Sequence, residues 1–322
     1  MVEEQLEPKN ILITPQGMSV VKNRFHDIFG SGYNIHFTNG MIKDKDTLVE
    51  LLSNKDACII GSEELNKNIL QHCSRLKIIS RFGSGYDSIN LNYLKENNIK
   101  LAIVKNHSSE AVSRHALALL LSITNNLVDQ KLSSLNGKWT KSLNLSNKNN
   151  KVGIIGLGPI AKKFISYLLF MGFEINYYSR TRDKDLEESG VHFCENIKEL
   201  IKSSSIISLH LKLVKETFGI ISEDLIELMD GKYFINTARG RLVDENALYN
   251  ALKAKRIVRA GLDVYYNEPT TGVSKDLQNL PNVTGTCHIG AYDEISLLSV
   301  AEESINNIKF FFSDNHDQVN FV

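Results

Sequence analysis

The sequence predicts an α/β protein in which parallel sheets are covered by helices on both faces. Three observations predict it. Short apolar runs alternate with helix-spaced segments from Lys9 to Ser80. A glycine-bearing turn at 151–163 reads Lys-Val-Gly-Ile-Ile-Gly-Leu-Gly-Pro-Ile-Ala-Lys-Lys, with a strand before it and a helix after it. The alternation then resumes and runs to Thr286. At 322 residues the chain is long enough for two domains of ordinary size.

In order along the chain, Lys9 to Thr14 is the first strand, and Met18 to Phe29 carries apolar residues at helical spacing. Tyr33 to Phe37 reads as a strand, Asp46 to Leu52 as a helix and Ala57 to Ile60 as a buried strand. Asn66 to His72 is helical, and Leu76 to Ser80 is the next strand. Arg81 to Asn90, Arg-Phe-Gly-Ser-Gly-Tyr-Asp-Ser-Ile-Asn, is a loop where a strand should end. Its two glycines leave backbone N–H groups available at a strand's carboxyl end, where open α/β sheets bind ligands. Ser109 to Asn125 is the strongest helix, apolar nearly all round, and is expected to lie deeply buried between domains or subunits. Gly137 to Lys151 loses periodicity and reads as a surface loop. Beyond the glycine turn the strands are Glu174 to Tyr178, Ile206 to His210, Tyr233 to Asn236, Arg259 to Val264 and Val283 to Thr286. Helices fall near Ile197 to Lys202, Ser222 to Leu228 and Glu245 to Ala254, and Glu294 to Phe312 is a final amphipathic helix.

Composition excludes several classes. Lys plus Arg equals Asp plus Glu at 37 each, so no global basic field points to nucleic acid or an anionic membrane. Cys58, Cys73, Cys194 and Cys287 are far apart and form no C-x-x-C pair, which suits a reducing cytosol better than a disulfide scaffold or a zinc site. Met1 to Asn10 carries three acids and no apolar run, so no signal peptide is expected. The longest apolar run, about Ala116 to Leu121, is too short to cross a bilayer. A cytoplasmic location is the expectation.

The 151–163 turn has the form a pyrophosphate requires. Gly156 permits the tight strand-to-helix turn, Gly158 lets the backbone approach the phosphates, and Ala161 keeps helix close to strand. Pro159 suits the first helical turn, whose free N–H groups and positive dipole end face the anion. An NAD site places an acid at the end of the second strand, about 20 residues on. Here that place reads Ser179-Arg180-Thr181, with no acid until Asp183. A hydroxyl and a guanidinium hold a 2′-phosphate by charge-assisted bonds, so NADP is expected to be preferred, with NAD possible.

Three candidate reactive groups follow later strands: Arg239 in Phe-Ile-Asn-Thr-Ala-Arg-Gly-Arg-Leu-Val-Asp, Glu268 in Gly-Leu-Asp-Val-Tyr-Tyr-Asn-Glu-Pro, and His288 in Thr-Cys-His-Ile-Gly-Ala. Hydride transfer to a 2-keto acid needs such a set. A cation fixes the carboxylate and polarises the carbonyl, and an acid protonates the developing alkoxide. A carboxylate beside the imidazole favours its protonated form.

These motifs, together with Phe-Gly-Ser-Gly-Tyr-Asp, resemble the D-2-hydroxyacid dehydrogenase family over nearly the whole chain, from Lys9 to about Phe312. The resemblance implies two doubly wound parallel-sheet domains, flavodoxin-like and Rossmann-like, with the active site in the cleft. The substrate-binding domain would take residues 1–103 and 294–322, and the dinucleotide domain 104–293. It implies Arg239 as substrate anchor, His288 as acid/base with Glu268 as its partner, and Ser84 and Gly85 as backbone donors to the substrate carboxylate. Asp263 would contact the nicotinamide amide, and Pro159, Ile160, His210, Thr237, Ala238, His288 and Gly290 complete the candidate nucleotide contacts. Substrates would be small 2-keto acids such as glyoxylate, hydroxypyruvate or a phosphorylated relative. Family members are usually dimers joined through the nucleotide domain, which would explain the apolar 109–125 helix. Phe82, Ser84, His107 and Tyr292 would read the substrate side chain, and His107 with Lys105 is a candidate phosphate contact. No metal is implied.

The chain departs from the family pattern at four places. Arg114 stands for a usual Glu, Lys212 for a common Pro, and Asp293 for Thr or Ser, although Asp293 can still cap the last helix. Cys287 stands for the Pro before the histidine, which leaves the His288 loop more backbone freedom. No regulatory domain of the kind in longer phosphoglycerate dehydrogenases is expected after the last helix. The rival reading is a nucleotide-sensing binding protein of the corepressor type on the same fold, which a turnover assay separates from an enzyme.

Overall fold

The computed structural model describes residues 7–105 and 107–322, so most of the opening segment read above for a signal peptide lies outside the described residues. The chain forms two compact units, Met1–Ser108 with Tyr292–Val322, and Ser109–Ala291.

In the first unit β1 (Lys9–Ile13), β2 (Tyr33–Phe37), β3 (Ala57–Ile60), β4 (Ile78–Arg81) and β5 (Lys100–Ile103) pair in parallel in the order β2-β1-β3-β4-β5. The period-two pattern divides each strand between two cores. Leu12, Cys58, Ile60, Ile79 and Leu101 face Leu48, Leu52, Ile69 and Leu70 of the connecting helices. Ile11, Ile13, Ala57, Ile59, Ile78 and Ala102 face Met18, Val21, Ala301, Ile305 and Ile308. The last three belong to the Glu294–Phe312 helix, which returns to this unit and is capped by Asp293 accepting from Ser296 N–H at 3.0 Å.

The second unit holds β6 (Val152–Ile155), β7 (Ile175–Tyr178), β8 (His192–Phe193), β9 (Ile206–Leu209), β10 (Tyr233–Asn236), β11 (Arg259–Leu262) and β12 (Val283–Gly285). They pair in parallel in the order β12-β11-β10-β9-β6-β7-β8. Both sheets are doubly wound. The strand order reverses between β1 and β3 in one and between β6 and β9 in the other, and ligand crevices open at such reversals.

Three expectations are corrected. Met18 to Phe29 is not one α-helix: Gln16–Arg24 winds as a 3₁₀ helix, and only Phe25–Phe29 is α. Gly17 packs so closely on Phe82 and Leu297 that a Cβ there would lie 2.8 Å from each, which ties this segment to the sheet's loops rather than to a regular helix axis. The Ser109–Thr124 helix is not apolar all round. It buries Ala116, Leu119, Leu120 and Ile123 against the glycine-turn helix and the strands of its own unit, and exposes Glu110, Arg114 and Ala118. The apolar surface lies instead on Leu127–Leu135, a helix with no buried residue that the sequence reading passed over. Strands β5 and β8 were also not expected. At two residues β8 is too short for a periodicity to register, whereas β5 is as long as the four-residue strands that were read.

Candidate active site

Two strand ends, those of β6 and β9, flank the reversal in the second unit, and the glycine turn and His210 lie on them, while the other candidate nucleotide residues follow β7, β10, β11 and β12. After β6, Gly156 has φ +95°, and a Cβ there would meet the His210 carbonyl oxygen at 2.7 Å. Only glycine fits. At Gly158 a Cβ would meet nothing within 4 Å, so the backbone at the start of the Pro159–Phe170 helix is open to approach, while Ala161 is fully buried. Its first N–H groups have no intrahelical partner. After β9, the His210 ring lies tilted beside Phe164 with centroids 5.3 Å apart, and its Nε2 meets the Ser208 hydroxyl at 2.9 Å. Burial pushes its pKa down to about 4, so the ring is neutral at neutral pH. Thr237, after β10, is buried with a hydroxyl that has no partner. A helix N-terminus clear of side chains, a neutral imidazole and an orphaned hydroxyl fit a dinucleotide.

At the end of β7 the Ser179 hydroxyl donates to the Thr181 carbonyl, and Arg180 and Thr181 are exposed. Asp183, the first acid in sequence after β7, is already committed. It caps Lys184–Glu188 by accepting from Leu186 N–H at 3.2 Å, and it pairs with Lys162 at 2.6 Å.

Arg239, Glu268 and His288 follow three adjacent strands, β10, β11 and β12. The turn after β10 is stapled by Asn236, whose side chain accepts from Ala238 N–H and donates to the Arg239 carbonyl, both at 2.9 Å. Gly240 then passes so near the next loop that a Cβ would sit 2.0 Å from the Tyr265 carbonyl carbon. The Arg239 guanidinium is half-buried and donates through Nη1 to the Ala238 carbonyl at 2.7 Å. Glu245 orients the loop that carries Glu268, accepting from Tyr266 N–H at 2.8 Å and from the Ser274 hydroxyl at 2.7 Å. Glu268 accepts Tyr265 N–H through Oε1 at 2.9 Å, and its Oε2 lies 2.6 Å from His288 Nδ1. A carboxylate only accepts, so Nδ1 carries hydrogen and Nε2 is left to exchange the second proton. The freedom expected from Cys287 is not found, because Asp263 clamps the turn. Its carbonyl holds His288 N–H, and its carboxylate holds Ile289 and Gly290 N–H, each at 2.8 Å. The Asp263 carboxylate, which the resemblance assigns to the nicotinamide amide, is 2 % exposed and spends both oxygens on the chain's own donors.

In the first unit, β4 ends at Arg81 and Gly83 turns with φ +129°. Among the described residues the amides of Ser84 and Gly85 have no hydrogen-bond partner, which leaves two adjacent donors for an anion. His107 pairs with Glu303 of the last helix, and Lys105 N–H reaches the same carboxylate at 3.4 Å. Phe82 packs on Gly17, and Tyr292 hydrogen-bonds the Gly17 backbone.

The comparisons with known proteins show the family. Residues 117–290, just over half of the chain, match the family described as D-isomer specific 2-hydroxyacid dehydrogenase, NAD binding domain. The chain belongs to the D-2-hydroxyacid dehydrogenases. It is 33 % identical over 279 residues to a glyoxylate reductase of Thermococcus litoralis, covering 83 % of each chain. A hydroxypyruvate reductase of Thermotoga maritima is 33 % identical over 255 residues, 77 % of this chain and 82 % of the relative. Among solved structures, a D-lactate dehydrogenase of Aquifex aeolicus with NAD and lactic acid superposes with a TM-score of 0.87 at 27 % identity, covering 97 % and 99 % of the two chains. The chain is thus an oxidoreductase that moves hydride between a nicotinamide dinucleotide and a small 2-keto or 2-hydroxy acid. These comparisons lend the corepressor alternative no support. Among the described residues no helix of this dehydrogenase is long and apolar enough to cross a membrane.

Sequence reasoning missed the residues that hold the dehydrogenase's candidate reactive groups: Asn236, Glu245, Ser274, Thr286 and His115. Asn236 and Thr286 lie inside the motifs, and their nearness to Arg239 and His288 was the available signal. Glu245 and His115 are 21 and 171 residues from what they hold, and only the fold brings them there.

Proposed function

We propose that this enzyme reduces a small, unphosphorylated 2-keto acid of glyoxylate or hydroxypyruvate size to the D-hydroxy acid, with NADPH preferred over NADH. The observation that carries the reading is the 2.6 Å pair between His288 Nδ1 and Glu268, after β12 and β11, which lie in sequence beside β10, the strand that delivers Arg239. When bound, the nicotinamide supplies the hydride. The substrate carboxylate is assigned to the free amides of Ser84 and Gly85 and to the planar guanidinium of Arg239. His288 gives its Nε2 proton to the oxygen that becomes the alcohol, while Glu268 keeps the ring oriented and offsets its positive charge. Gly156, Gly158, Pro159 and Ile160 receive the pyrophosphate, with His210, Thr237, Ala238 and Gly290 around the remainder of the nucleotide. The first unit is the substrate domain and the second the nucleotide domain.

Four observations support the finer choices. Asp183 is committed to a cap and to Lys162, which leaves Ser179, Arg180 and Thr181 to meet the adenosine ribose and favours a 2′-phosphate. An acid, Glu303, sits on His107, which disfavours a phosphorylated substrate at that candidate contact. Exposed apolar residues of the second unit, Leu132, Leu135, Trp139, Leu143 and Phe170, support a homodimer. Four free thiols suit a reducing, cytoplasmic setting.

The test is a panel of keto acids followed at 340 nm with NADPH and NADH, with chiral analysis of the product. Glyoxylate and hydroxypyruvate should be turned over, with NADPH the better donor and any chiral product in the D form. Turnover of phosphorylated keto acids alone would overturn the substrate assignment.

A further inference from the structure

Behind His288 lies a buried hydrogen-bond chain that the reaction itself does not use. The His288 backbone has φ +54°, a left-handed conformation that a bulky residue keeps only when its surroundings impose it. Asp263 imposes it, holding the three successive N–H groups of His288, Ile289 and Gly290 at 2.8 Å each. Burial by itself would raise the Asp263 pKa. The hydrogen bonds from His115, Thr286, Ile289 and Gly290 together bring it below the ordinary carboxylate value, so the group stays charged.

The protons of this chain can be placed one by one. The Thr286 hydroxyl lies 2.6 Å from Asp263 Oδ1, and a carboxylate only accepts, so the hydroxyl proton points there. The same hydroxyl lies 3.0 Å from His115 Nε2. With its proton spent it must accept, so His115 Nε2 carries a hydrogen. That Nε2 is also 3.3 Å from Asp263 Oδ1, and the ring is only 17 % exposed. His115 therefore donates into both the hydroxyl and the carboxylate. Its helix touches the turn as well, since a Cβ at Gly290 would lie 3.0 Å from Asp263 Oδ2 and 3.6 Å from His115 Cδ2.

We propose that His115 is a positioning residue for the proton donor. It fixes the Asp263 carboxylate in the orientation that keeps the His288 turn left-handed and Nδ1 on Glu268. Without that donor the carboxylate can rotate, and the ring loses the alignment on which proton transfer depends. The inference rests on the reading of His288 as proton donor and adds a residue in the second turn of the Ser109–Thr124 helix to that machinery.

The test compares His115→Leu, His115→Gln and Thr286→Val with the wild type, and runs His288→Ala beside them. His115→Leu should lower kcat about tenfold or more, the range for residues that orient a reacting group, while nucleotide Kd stays within about twofold. His115→Gln places an amide donor near the imidazole Nε2 and should recover most of the rate. Thr286→Val should match the leucine variant, and the double variant should lose no more than either alone, because one chain is broken in each. A wild-type kcat in His115→Leu overturns the proposal, as do equal losses in the Leu and Gln variants or fully additive losses. If His115→Leu does not fold, Thr286→Ser against Thr286→Val decides: serine keeps the hydroxyl and must keep the rate. An active His288→Ala overturns the proton-donor reading itself. An inactive His288→Ala beside a fully active His115→Leu overturns the positioning role alone.

Discussion

At the scale of single residues, the proposed chemistry rests on one imidazole with two unequal nitrogens. Nδ1 is tied to Glu268 at 2.6 Å, and only Nε2 is free to move a proton. His288→Ala should therefore lower turnover by a factor on the order of 100 or more while nucleotide binding persists. Glu268→Gln keeps a partner for Nδ1 but loses the charge, and a smaller drop, roughly tenfold, is expected. Arg239→Lys keeps the charge but not the planar fork, so kcat/KM should fall steeply with little change in nucleotide affinity. Steady-state kinetics with a fluorescence titration of NADPH checks all three. His210 carries a different prediction, about stability. Its folded pKa is about 4, below the 6.5 of an unfolded histidine, so the unfolded chain binds the extra proton first. The stability that comes from keeping it neutral is complete above pH 6.5 and is lost as pH falls from there toward 4. Because the ring keeps some exposure, the loss should be about 1–3 kcal/mol. Urea midpoints at pH 7.5 and 5 should diverge more in the wild type than in His210→Gln, and equal divergence would remove His210 from the acid response.

At the scale of elements, the proposed preference for NADP rests on the turn after β7. Ser179 stands where an NAD enzyme has its acid, and Asp183 is tied to its helix and to Lys162. A guanidinium on a 2′-phosphate at an exposed site should contribute roughly 1.5–3 kcal/mol, a preference for NADP of about ten- to a hundredfold. Ser179→Asp with Arg180→Ala should reverse the order while both nucleotides still bind, since the Gly156 turn is untouched. The ratio of efficiencies with NADPH and NADH reports it, and a wild type that prefers NADH would defeat the assignment. Elements also show where pattern reading succeeds. Glu294–Phe312 matches its expected bounds because a 19-residue amphipathic helix carries several turns of signal and a capping Asp293. Leu127–Leu135 left no such signal, since its apolar residues face outward and its spacing follows no core of this chain.

At the scale of the whole molecule, the exposed apolar surface of the second unit is the feature one chain leaves uncovered. Trp139 and Leu143 are 89 % and 98 % exposed, near the exposed helix Leu127–Leu135 in sequence. Monomeric proteins rarely leave such residues clustered in water. The wild type should therefore elute as a dimer in size-exclusion chromatography with light scattering, and Leu132→Glu with Leu135→Glu should give a folded monomer. A monomeric wild type would refute the dimer.

What the sequence by itself determined is local. The glycine turn and most of the buried four-residue strands were legible, and Arg239, Glu268 and His288 could be picked out as candidates, because each lies within a few positions of the motif that marks it. Backbone sterics at Gly156 and the repeat of apolar positions act over that same short range. What only the tertiary structure decided is the set of contacts that makes those residues work. Glu268 meets His288 across 20 positions, Glu245 holds Tyr266 across 21, and His115 reaches Thr286 across 171. No periodicity carries such pairings, because they depend on strand order: β10, β11 and β12 lie side by side, with the Ser109–Thr124 helix packed on them. The same order settled which face of that helix is buried, and so moved the exposed apolar surface to the helix that follows it.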